Sequence, residues 1–214
     1  VDAAASLPIA TPSPEQVRLY LARWHGSDNE RIDVALRKTF DALPSNRDVG
    51  EVGVKIAALN GLYWTNILGV LQVARHIVAI DIDARLDQPT ADPELIEKIA
   101  TVKHGGKRRR HYSFATKYSS FHQPAVYPIY DSLVAGVLNA LLKQGETFDI
   151  FTPQEHWRTD YAVWCRSVRK FRTHYGLDDF SLRDIDKYLW TMAKEREAMR
   201  PGRTRNLEDP TTAI

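Results

Sequence analysis

Two side chains fourteen residues apart, Lys117 and Asp131, could do chemistry together. Lys117 stands among Phe114, Tyr118, Phe121 and Tyr127. Apolar surroundings disfavour an ammonium and free an amine for nucleophilic attack. A carboxylate alongside can accept a proton and steady a cationic intermediate, but it also favours the ammonium, so the sequence leaves the balance open. The plainer alternative makes Asp131 a helix N-cap worth about 1 kcal/mol and Lys117 its salt-bridge partner. Reach allows either outcome. A helix from Lys117 to His122 advances roughly 7–8 Å. The eight residues from Gln123 to Tyr130 extend roughly 26–29 Å, enough to double back. Pro124 and Pro128 hold that return stiff and extended.

Just before this pair lies the most basic run in the chain, Lys103-His104-Gly105-Gly106-Lys107-Arg108-Arg109-Arg110-His111. From Lys98 to Tyr130 there are seven Lys or Arg and no acid, yet the whole chain is only +2, so the remainder carries −5. A basic face against an acidic remainder is the footprint of a polyanion partner. Each neutralised phosphate would release counterions and add affinity whatever the base sequence. The expected nucleic-acid-binding residues are Lys103, His104, Gly105, Gly106, Lys107, Arg108, Arg109 and Arg110. The expected partner is nucleic acid, DNA ahead of RNA. The alternative is a solvated loop.

The elements that must position these groups read as helices. Ser13-Pro14 caps a first helix that Gly26 ends, and Asn29 opens a second, stopped by Pro44. A third runs from Asp48 to Leu59, broken by Asn60-Gly61, and a fourth from about Asn66 to Ile80. Asp92-Pro93 starts a helix through Val102, which Gly105-Gly106 ends before the next, Tyr112 to His122. Asp131-Ser132 caps a helix closed by Gly145. Thr152-Pro153 starts a long aromatic helix (Trp157, Tyr161, Trp164, Phe171), and Ser181 caps the last. No stretch alternates strictly enough for a strand. The expectation is an all-α fold: a single globular domain of about eight or nine helices over 13–198, with a flexible N-terminal arm at 1–12 and a polar tail at 199–214. At the Leu59–Asn66 corner, Tyr63, Trp64 and Asn66, with Tyr118, form a candidate base pocket. The alternative is a helix–helix corner whose Asn60 and Asn66 cap backbone groups.

Helix, glycine hairpin, helix, then a Pro-containing return into a helix-starting Asp resembles the helix-hairpin-helix DNA glycosylases. The steps Phe114-Ala115-Thr116-Lys117 and Tyr127-Pro128-Ile129-Tyr130-Asp131 are similar to those of the 8-oxoguanine glycosylases. The chain also resembles uncharacterised bacterial helical proteins that share Phe-Ala-x-Lys-Tyr, Tyr-Pro-Ile-Tyr-Asp-Ser and the Asp186-Lys187-Tyr188-Leu189-Trp190 step. The glycosylase resemblance implies that Lys117 attacks C1′ of a damaged nucleotide, Asp131 assists departure of the base, and the 103–111 run holds the DNA backbone. The base would be flipped out against Tyr63, Trp64 or Tyr118. Non-catalytic nucleic-acid binding and protein scaffolding on the same architecture stand as the alternatives.

Other chemistries fit less well. A single Cys165 forbids an internal disulfide, a multi-cysteine zinc site and a four-cysteine iron–sulfur loop, so no cofactor is expected. His104, His111, His122 and His156 are scattered without acidic partners at ligand spacing, so no metal is assigned. Gly105-Gly106-Lys107 lacks the phosphate-loop pattern and its preceding strand, which disfavours nucleotide hydrolysis. Apolar runs are too short to span a membrane, and residues 1–8 lack a signal peptide's pattern, so the expected location is cytoplasmic.

Overall fold

The computed structural model describes residues 8–149 and 154–199, without the side chain of His104. Of the expected arm at 1–12, the described part is anchored: Ile9 is buried, its N–H donates to Gln144 Oε1 (2.8 Å) and its carbonyl accepts from Gln144 Nε2 (2.9 Å). Thr152 and Pro153 lie outside the described residues, as does all of the tail beyond Met199.

Local rules set most of the helix starts. Ser13 accepts from the Gln16 N–H to begin α1 (Pro14–Trp24), and Ser27 accepts from Glu30 to begin α2 (Asp28–Ala42). Asp48 and Asp92 cap α3 (Val49–Tyr63) and α6 (Pro93–Ala100) in the same way. α3 runs through Asn60-Gly61 instead of breaking there. The Asn60 side chain holds the following loop, accepting from the Ile67 N–H (2.8 Å) and from Thr65 (3.2 Å), and so does not compete for its own helix. Trp64 and Asn66 take left-handed φ, and α4 (Val70–Ala79) begins later than expected. A single turn, α5 (Asp83–Leu86), follows.

The glycines do not join two helices. α6 stops at Ala100, and β1 (Thr101–His104) pairs antiparallel with β2 (Lys107–Arg110) around Gly105 and Gly106. Both glycines have positive φ (54° and 76°), the backbone that a two-residue hairpin turn requires. Every residue of β2 is exposed, so neither face forces the apolar alternation by which strands are read from sequence.

α7 (Tyr112–His122) starts two residues after β2, and Phe114 to Phe121 are all buried. α6, α2 and α3 pack around it. The extended return then crosses back along α7, pinned by three side chains. The Tyr130 N–H donates to Thr116 Oγ1 (3.0 Å), Tyr161 OH to the Pro128 carbonyl (2.9 Å), and Trp164 Nε1 to the Ile129 carbonyl (3.0 Å). This pinning delivers Asp131 to the start of α8 (Ser132–Lys143).

The expected long aromatic helix is two elements, a 3-10 turn at Gln154–Arg158 and α9 (Tyr161–His174), because Asp160 caps a new start by accepting from Val163. A capping box of Ser181 and Asp184 opens α10 (Leu182–Ala198), which lies against α1 and α8. The described residues thus form one all-α globular domain with ten α-helices and a single two-stranded hairpin.

Candidate functional site

Lys117 and Asp131 meet. Lys117 Nζ lies 3.1 Å from Asp131 Oδ2 and donates to Ser113 Oγ, one turn back on α7, at 2.7 Å. Asp131 uses its other oxygen as the cap of α8, accepting from the Leu133 N–H (2.9 Å). The geometry is that of the plainer alternative: the carboxylate is the N-cap of α8 and also the salt-bridge partner of the amine. Lys117 is only 5% exposed, and its ammonium stands 6.0 Å from the Tyr63 ring centre.

The pair belongs to a larger buried cluster. Arg183 donates to Asp186 Oδ2 (3.0 Å) and to Asp33, and Lys187 Nζ lies 3.3 Å from Asp33 Oδ2. Tyr63 OH donates to Asp33 Oδ1 (3.2 Å). Three carboxylates (Asp33, Asp131, Asp186) thus face three cations (Lys117, Arg183, Lys187), so the cluster is neutral as drawn. Burial would raise Asp33, but Arg183 and Lys187 beside it hold its carboxyl below the usual range. Asp186 goes the other way. Burial pushes it up to about 6, with Asp131 and Asp33 adding to the rise and Arg183 and Lys117 opposing it.

The proposed base-pocket residues do not converge. Tyr63 alone approaches Lys117. Trp64 is 83% exposed and Asn66 is also exposed, both on the left-handed corner. Tyr118, one position on from Lys117 along α7, points into the core against Phe40 and Phe114, with its hydroxyl on Asn46 Oδ1. A helix step of about 100° separates neighbouring side chains, so two consecutive residues rarely share one hollow.

A second buried lysine went unnoticed in the sequence. Lys55 Nζ donates to the carbonyls of Leu43 and Ser45 (both 2.9 Å) and to Asn46 Oδ1 (2.7 Å), and sits 3.3 Å from His122 Nε2. Burial pulls Lys55 down to about 8 against the pull of Asp83 and Glu51. Burial and the Lys55 charge together push His122 down to about 3, so this ring stays neutral beside the ammonium. Lys55 thereby ties down the loop that joins α2 to α3.

The basic run is divided by its hairpin. Arg110 is engaged: it pairs with Glu97 (2.8 Å), donates to the Arg158 carbonyl (2.6 Å) and covers the Tyr112 ring at 4.2 Å. Lys103, Lys107, Arg108 and Arg109 are exposed and form no ion pair among the described residues. Gly105 and Gly106 sit at the tip of the hairpin, away from the start of α7, so their N–H groups do not extend a helix N-terminus toward a phosphate. The described residues hold no group of three or more His, Cys, Asp or Glu placed to bind a metal.

Residues 16–126, more than half of the chain, match the HI_0787_N family, described as an N-terminal domain. The chain belongs to the HI_0787_N family. The matched segment contains the hairpin, Tyr63 and Lys117 and ends before Asp131 and Asp186. The chain is also 38% identical over 138 residues to an uncharacterized protein of Haemophilus influenzae, an alignment covering 64% of this chain and 63% of that protein. It thus spans less than two thirds of that relative's length. No solved structure matches the chain. No helix among the described residues is long and apolar enough to cross a membrane.

The raised Asp186 sets a pH dependence. An aspartate ordinarily titrates near 3.8, and here it does so at about 6, so the folded chain holds this proton more tightly than the unfolded one. Stability from this group is full below about pH 4 and is lost as pH rises through about 6. Asp33 acts oppositely, its contribution being lost only as pH falls below the ordinary carboxylate range. Urea unfolding of wild type and Asp186→Asn between about pH 4 and about pH 7 tests this. The stability difference should move steadily in favour of the variant as pH rises. Parallel profiles would contradict the assignment.

Proposed function

We propose that this domain binds nucleic acid, DNA rather than RNA, through the exposed hairpin, and that it does so in the cytoplasm. The observation that carries the reading is a two-stranded element bearing four exposed cations, Lys103, Lys107, Arg108 and Arg109, that form no ion pair among the described residues. A hairpin of this kind is slim enough to lie along a groove or across a backbone. Cations without protein partners are free to release the counterions of a phosphate backbone. Arg110, locked to Glu97 and to the 3-10 turn, fixes the hairpin to the body of the domain so that the free cations project from a rigid base. Duplex-DNA binding should weaken with salt. The variant Lys107→Ala/Arg108→Ala/Arg109→Ala should lower the slope of log affinity against log salt by about 2–3. The measurement is fluorescence anisotropy at several salt concentrations. An unchanged slope, or no binding by wild type, would overturn the reading.

A second reading, base excision by a glycosylase-like mechanism, is favoured by the 3.1 Å approach of Lys117 to Asp131 beside that hairpin. In it, Asp131 takes a proton from the ammonium, the freed amine bonds to C1′ of the nucleotide, and the C1′–N bond breaks with the electron pair leaving on the base. The chemistry needs Lys117 to leave Asp131 and Ser113 for a substrate entering past Tyr63. Borohydride reduction should then trap a covalent complex on DNA carrying 8-oxoguanine or an abasic site, and Lys117→Ala should abolish it. No trapping by wild type, or equal trapping by the variant, removes this reading and leaves the binding module.

A further inference from the structure

Where α4 meets the hairpin there is a cleft of about 260 Å³, lined by Gln72, His76, Thr101, Val102, Lys103 and Arg108. Lys103 and Arg108 are cross-strand partners, so their side chains leave the same face of the hairpin side by side. Like charges placed directly opposite in a sheet repel. Neither forms an ion pair among the described residues and no acidic side chain lines the cleft, so the attraction of Glu97 for Arg108, beyond ion-pair distance, offsets the repulsion only in part. The wall opposite is fixed by hydrogen bonds. Gln72 Nε2 donates to the Lys103 carbonyl (2.7 Å), and His76 uses Nε2 as a donor to the Lys98 carbonyl (2.8 Å). The cleft is thus preformed, with two cations held together at its edge.

We infer that this cleft is a seat for one phosphate group, held between Lys103 and Arg108 on the hairpin and closed on the other side by Gln72 and His76 of α4. Such an anion would remove the repulsion between the paired cations. Period two puts Lys107 and Arg109 on the other face of the hairpin, away from Lys103 and Arg108. The phosphate could be a diester of a nucleic-acid backbone or a free phosphate. In the first case the inference rests on the nucleic-acid reading and says where that backbone is gripped.

The test compares Lys103→Ala/Arg108→Ala with Lys107→Ala/Arg109→Ala. Each loses two exposed cations, so general attraction falls equally. With duplex DNA, the first pair should weaken binding by about tenfold or more and the second by no more than about threefold. In parallel, inorganic phosphate is titrated into ¹⁵N-labelled protein. The Gln72 side-chain amide and the backbone amides of 101–103 should shift, and the Lys103→Ala/Arg108→Ala variant should lose the effect. Equal weakening of DNA binding by both pairs, with no phosphate shifts, would overturn the cleft while leaving a nucleic-acid-binding hairpin. Phosphate shifts without any DNA binding would keep the cleft, assign it to free phosphate and remove the nucleic-acid reading. Neither DNA binding nor phosphate shifts would remove both.

Discussion

The domain is organised by the need to compensate charge where water is excluded. At the junction of α2, α7, α8 and α10, buried Asp33, Lys117 and Arg183 share one region with half-buried Asp131, Asp186 and Lys187. An isolated ion there would cost several kcal/mol. Each group is tolerable only because a partner from another part of the chain arrives beside it. α10 must therefore dock with Arg183 and Lys187 turned toward α2, and the extended return must end with Asp131 over α7. Thr116, Tyr161 and Trp164 satisfy this second demand by gripping the backbone of the return one residue after another.

The molecule uses charge in two opposite ways. Inside, cations are matched to carboxylates and immobilised. On the hairpin, cations are left unmatched and exposed, and only Arg110 at its base is spent on holding the element in place. A neutral, paired interior thus stands behind a positive projection whose base Arg110 ties to α6 and the 3-10 turn. Lys55 serves the same economy of pairing with neutral groups. Three oxygens and a neutral His122 surround its ammonium, which explains how a lysine stands in the core without an adjacent carboxylate.

Much of this was legible in the sequence where the cause is local. Ser13, Asp92, Asp131 and Ser181 read as caps because capping depends on the next three residues. The meeting of Lys117 with Asp131 was legible as a possibility because chain length and two prolines bound the return. The hairpin was not, since four exposed basic residues carry no alternation and only two glycines mark the turn. Asn60-Gly61 misled because its side chain serves a loop instead of its own backbone. Asp33 and Arg183, 150 positions apart, left no signal beyond the three-residue spacing of Arg183 and Asp186 on one helix. Tyr118 was misplaced because proximity in sequence to Lys117 does not imply a shared face on a helix.

The account is tested most directly by a double-mutant cycle on Lys117→Met and Asp131→Asn, read by urea unfolding near neutral pH. Asparagine keeps the cap of α8 and removes the charge. Asp131→Asn strands the buried Lys117 ammonium and should cost about 3–5 kcal/mol. Lys117→Met leaves a half-buried carboxylate still capping α8 and should cost less. The double change should cost markedly less than their sum, leaving a coupling of about 2 kcal/mol or more. Additivity within about 0.5 kcal/mol would contradict the claim that compensated charge holds this junction together.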